Sequence, residues 1–116
     1  MTLPDINTNY LLEFLTQILN TPSPTGFAQQ AIQVTQEAML AFPDLKFSLT
    51  RKGALVAVWQ GEQSDAPRAL TAHADTLGAM VKEIKPNGRL LLTKIGGFAW
   101  NTVEGEGCTI FTRRNQ

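Results

Sequence analysis

The sequence predicts an α/β chain, two helices followed by strands and then a separate antiparallel β unit. Three observations carry that reading. A helical apolar stripe runs through Tyr10, Leu11, Phe14, Leu15 and Ile18. After Pro43-Asp44 the period shortens to the alternation of strands. Asn87-Gly88, between two apolar runs, is a strong hairpin signal because both residue types tolerate positive φ.

The first helix is expected over Tyr10 to Leu19, capped by Asn7, Thr8 or Asn9 and ended by Asn20 and Thr21-Pro22. Thr21-Pro22-Ser23-Pro24-Thr25-Gly26 is a proline-stiffened loop that sets the angle to the next element. The second helix is expected from about Phe27 to Phe42, with Phe27, Ala31, Val34, Ala38 and either Met39 or Leu40 facing inward. Lys46 to Thr50 and Ala54 to Trp59 read as a hairpin turning at Arg51-Lys52-Gly53. Gly61 to Pro67 is a polar loop, and Arg68 to Asp75 reads as an apolar strand. Ala79 to Ile84 and Arg89 to Ile95 form the second hairpin around Lys85-Pro86-Asn87-Gly88. Cys108 to Thr112 reads as a final strand. The style changes at Asp75 to Gly78, so residues 1–75 and 76–116 are expected to belong to different units. Each is too small to bury a comfortable core, and the chain reads as unfinished.

Composition excludes several classes. Of the 116 residues, 43% are hydrophobic and 17% charged, as in an ordinary globular protein. Ten basic and ten acidic side chains cancel, which gives no support to a nucleic-acid partner. The densest charge clusters are only Arg51-Lys52 and Arg113-Arg114. The single cysteine, Cys108, excludes an intrachain disulfide and, in an apolar alternating stretch, reads as a buried structural thiol. Met1 to Asn7 has no signal-peptide pattern, and no window approaches a membrane span. The expectation is a cytoplasmic protein without a membrane partner.

His73 is the only histidine, at the end of an expected buried strand where α/β sheets present functional groups. Asp75 stands two residues on, and in extended backbone i and i+2 share a face. A carboxylate can accept the N–H of one ring nitrogen and leave the other for a metal. Spacing alone equally allows a His–Asp pair that satisfies only itself.

The rest of the sequence does not complete a hydrolytic site. Zinc needs at least three protein ligands and a bridged pair needs more. Asp5, Glu13, Glu37, Asp44, Glu62, Asp65, Glu83, Glu104 and Glu106 show no ligand spacing. Glu13 and Glu37 fall on outer helix faces, and Glu104-Gly105-Glu106-Gly107 reads as a turn entering a strand. Ser23 and Ser48 lack the context of a nucleophile elbow. Gly96-Gly97 and Gly105-Glu106-Gly107 do not form a phosphate loop. Phe98 and Trp100 fit either a subunit contact or local packing.

The order of these motifs resembles a known family. The Thr21 to Gly26 loop is similar to one near the start of co-catalytic metallopeptidases. Thr71-Ala72-His73-Ala74-Asp75-Thr76-Leu77-Gly78-Ala79-Met80-Val81-Lys82-Glu83-Ile84 resembles the first-ligand segment of the glutamyl and tetrahedral aminopeptidases, including proteins once labelled "cellulase M". Asn87 to Leu90, Ile95 to Gly97 and Trp100 to Gly107 continue the likeness in register. The resemblance implies a mixed-sheet metallopeptidase domain beginning in residues 1–75 and an inserted antiparallel β-barrel-like domain beginning in 76–116. It implies that His73 is the first metal ligand and that Asp75 serves the catalytic machinery as the carboxylate orienting it. In the complete enzyme it implies two divalent ions (zinc, cobalt or manganese), a peptide substrate and a homo-oligomer, often a dodecameric shell. The family's bridging aspartate, general-base glutamate, further carboxylates and late histidine have no counterpart here. The chain is therefore expected to be an amino-terminal portion, inactive alone. A non-catalytic interaction module built on the same scaffold is the alternative. No pair of carboxylates supports the cellulase label.

Overall fold

The computed structural model describes residues 5–63 and 65–112. Arg113-Arg114 and the start of the Met1 to Asn7 segment lie outside them. Two helices come first, α1 over Thr8–Leu19 and α2 over Gln29–Met39. Then come two antiparallel hairpins, β1 (Leu45–Leu49) with β2 (Leu55–Trp59) and β3 (Gly78–Ile84) with β4 (Leu90–Ile95), and a single 3₁₀ turn at Trp100–Thr102. The mixed α/β class follows from the sequence. The two sheets stay open and two-stranded, so no barrel is formed among the described residues.

Of the three candidates for the α1 cap, Asn7 is the residue used. Its side-chain oxygen accepts the Tyr10 N–H at 3.0 Å, satisfying one of the helix's free donors. Asn20 closes the other end, donating from its side chain to the Thr16 carbonyl at 2.7 Å. The second helix is shorter than expected. Phe27 belongs to the turn before it, with its N–H on the Pro24 carbonyl at 2.7 Å, and Leu40 and Phe42 beyond it are exposed. Within α2, Ala31 is fully buried, and Val34, Ala38 and Met39 are half-buried.

Both hairpins turn by the same device. Gly53 N–H bonds the Thr50 carbonyl and Gly88 N–H bonds the Lys85 carbonyl, each at 2.9 Å. Each glycine has φ near +80° at the last position of its turn, and Pro86 occupies the position that proline's fixed φ favours. The hairpin forms where Asn87-Gly88 predicted it, with the positive φ taken by Gly88; every described residue with positive φ is a glycine. Asn87 instead uses its side-chain oxygen to accept the Arg89 N–H at 3.1 Å. In the second hairpin the register slips between Val81 and Glu83, the kind of irregularity a β-bulge makes.

Two expected strands are absent. Arg68 to Asp75 makes no ladder, and Leu70 is fully exposed. The segment's single pairing comes one residue later, a parallel bridge between Pro24 and Thr76. Cys108 to Thr112 also forms no strand, and Cys108 is exposed rather than buried. Strands are stabilised by neighbours, and among the described residues neither segment has one. Phe111 instead stacks on Phe27, ring centroids 4.8 Å apart.

The core is small. Among the described residues Ala31 and Ser23 are the ones that reach full burial, while Tyr10, Leu11, Leu15, Val58 and Trp59 are 44–73% exposed. The accessible surface is 10814 Å², whereas a compact monomer of this mass, 12.7 kDa, exposes roughly 6,200 Å². The apolar stripe of α1 is real but largely uncovered.

Candidate metal centre

The Thr21 to Gly26 loop and the chain around Thr76 are fastened to one another by main-chain bonds. Thr76 N–H donates to the Ser23 carbonyl at 2.7 Å, and Thr25 N–H donates to the Thr76 carbonyl at 3.2 Å. The approach is close because residue 78 lacks a side chain. A Cβ on Gly78 would lie 2.7 Å from the Cβ of Pro24. The stiff loop therefore lies directly against the segment that carries His73 and Asp75.

In that setting Asp75 uses both carboxylate oxygens. Oδ2 accepts the Thr25 hydroxyl at 2.6 Å, and Oδ1 lies 3.1 Å from His73 Nδ1. Nδ1 also lies 3.1 Å from the main-chain oxygen of Asp75. Both partners of Nδ1 are acceptors when the carboxylate is ionised, so both contacts are favourable only if Nδ1 carries the proton. The neutral ring then keeps its lone pair on Nε2. His73 is 85% exposed, so that nitrogen is accessible.

The Thr25 hydrogen bond is the largest influence on the Asp75 carboxyl and holds it below its ordinary value; lost hydration opposes it, and lesser contributions from His73's hydrogen bond and charge add to the lowering. Ser23, whose carbonyl is part of this seam, is 2% exposed, and its hydroxyl has no partner among the described residues.

The sequence thus placed His73 and Asp75 together, and they are together. Thr25 was visible only as part of a loop motif. Nothing local marks its tie to Asp75, which joins residues 50 apart. Glu13, Glu37, Glu104 and Glu106 are exposed, and no three metal-ligating side chains cluster among the described residues. Phe98 and Trp100 pack on each other edge to face at 5.4 Å, with Lys94 bonded to the Phe98 carbonyl at 2.8 Å. Among the described residues no helix is long and apolar enough to cross a membrane.

The donor set fits one ligand position of a metal centre, an imidazole with one nitrogen held and the other free. The family pattern of the M42 glutamyl aminopeptidases matches residues 53–116, more than half of the chain. The chain belongs to the M42 glutamyl aminopeptidase family. Over 101 residues it is 44% identical to the Bacillus subtilis (strain 168) protein named "Putative aminopeptidase YhfE", covering 87% of this chain and 29% of that protein. Among solved structures it is similar to a TET aminopeptidase from a marine sediment Thaumarchaeota archaeon. That match has a TM-score of 0.72 and 25% identity, over 84% of this chain and 26% of the other. This M42 chain spans less than a third of the length of either relative.

Proposed function

We propose that this M42 chain supplies the amino-terminal part of a metal-dependent aminopeptidase, with His73 as its first metal ligand and Asp75 as the residue that orients it. The observation that carries the reading is the pair of oxygens of Asp75, main-chain and Oδ1, each 3.1 Å from His73 Nδ1, a geometry that favours the proton on Nδ1 and leaves Nε2 free. Two divalent ions, when bound in a complete enzyme, would activate a water and polarise the carbonyl of the amino-terminal peptide bond. Asp75 would hold the ring tautomer and raise the imidazole's strength as a ligand. Zinc, cobalt and manganese all suit such a donor set.

On the same reading, residues 1–75 begin the peptidase domain and 76–116 begin the insert. A peptide substrate, a homo-oligomer and a cytoplasmic setting are part of it. One histidine position cannot by itself hold the metal pair, so the 116-residue chain alone is expected to be inactive. An aminopeptidase assay of the purified chain with zinc, cobalt or manganese tests this, and turnover by the chain would overturn it. The uncovered apolar side chains of α1 and β2 favour a second reading, a scaffold kept for interaction. A folded chain whose His73 ignores added metal would favour that one.

A further inference from the structure

We propose that Thr25 is a positioning residue of the His73 centre, fixing Asp75 so that Asp75 can fix the imidazole. The proposal rests on the reading of His73 as a metal ligand. A carboxylate on a short side chain rotates broadly about its last bond, and water competes for each oxygen. Asp75 is 36% exposed, and residues 68–75 form no strand that would hold its side chain in place. Its orientation is therefore set by the contacts of its two oxygens. One oxygen faces His73. The other is held by Thr25 at 2.6 Å, the shorter of the two contacts.

Thr25 is itself placed by more than its hydroxyl. Its N–H is bonded to the Thr76 carbonyl, and Thr76 is bonded back to Ser23. Pro24 between them sits against Gly78. The hydroxyl is thus delivered to Asp75 by a loop whose main chain is already docked, and the geometry passes from loop to carboxylate to ring. Its second contact, to the Thr76 carbonyl at 3.4 Å, is too long to compete for the single hydroxyl proton. Thr25 touches neither metal nor substrate in this scheme. It acts through Asp75.

The single histidine makes the test direct. In the full ¹⁵N-labelled chain the two ring nitrogens report the tautomer, and a zinc titration reports access to Nε2. The wild type is expected in the Nδ1–H form. In Thr25→Val the ring should shift to a tautomer mixture, and the zinc midpoint should rise on the order of tenfold, the lower end of what losing a ligand-orienting partner costs. Thr25→Ser, which keeps the donor, should restore both. If valine unfolds the chain, Thr25→Ala replaces it, since the side chain is exposed. A wild type in the Nε2–H form, or a valine or alanine variant identical to wild type in tautomer and midpoint, would overturn the role of Thr25. Zinc that leaves the wild-type ring unmoved while Thr25 still governs the tautomer would sink only the ligand reading.

Discussion

Gly78 and Pro24 meet where a side chain would not fit. A Cβ on residue 78 would stand 2.7 Å from the Pro24 Cβ, a distance that real Cβ contacts essentially never show. The seam between the proline loop and the His73 segment depends on that missing carbon. Gly78→Ala is therefore expected to push the loop away and destabilise the folded chain by about 1–3 kcal/mol, the usual range for overpacking. Denaturant unfolding followed by tryptophan fluorescence would measure it, and an unchanged midpoint would show that the loop yields without cost.

Asp75→Asn should loosen the centre more than any change at Thr25. An amide has one acceptor oxygen where the carboxylate has two, so it cannot accept from both Thr25 and His73 with separate oxygens. The expected loss of zinc affinity at His73 is about 10–100-fold. Competition with a chromogenic chelator reads this without any need for turnover.

Acid should undo the same link in a defined direction. The folded Asp75 carboxyl is held below its ordinary value, first by Thr25. Its contribution to folding is complete above the unfolded value and disappears as pH falls through the folded one. Following the side-chain carboxyl carbon of Asp75 by NMR, Thr25→Val should titrate at higher pH than wild type. Coincident curves would mean that the hydroxyl does not favour the ionised form.

The α1 cap offers an independent check of the helical half. Asn7→Ala removes the acceptor of the Tyr10 N–H and should cost about 1 kcal/mol. Thermal melts followed by far-ultraviolet circular dichroism would show it as an earlier loss of helix, and a melt superimposable on wild type would contradict the cap.

What could be read from the sequence was what depends on near neighbours. The stripe of α1, the turn of each hairpin and the proximity of His73 to Asp75 all involve residues a few positions apart. Arg68 to Asp75 has the apolar character of a buried strand, but a strand also needs a partner, and that information lies elsewhere in the chain. The same holds for Cys108, whose alternating surroundings suggested burial but which is exposed among the described residues. Thr25 could not be paired with Asp75 by any periodicity, because the contact spans helix α2 and the whole first hairpin.

That span also has a kinetic meaning. Bringing together residues 50 apart carries a loop-closure cost that grows as the logarithm of length, roughly 3–4 kcal/mol before the fixed term. Helix turns and hairpins form from local contacts and need no such closure. During folding, α1, α2 and both hairpins can therefore exist while His73 still turns freely, its proton on either nitrogen. On the proposed reading, Thr25 can steady Asp75, and through it the ring, only once the proline loop has arrived. A ring held ready for metal would then come late in folding.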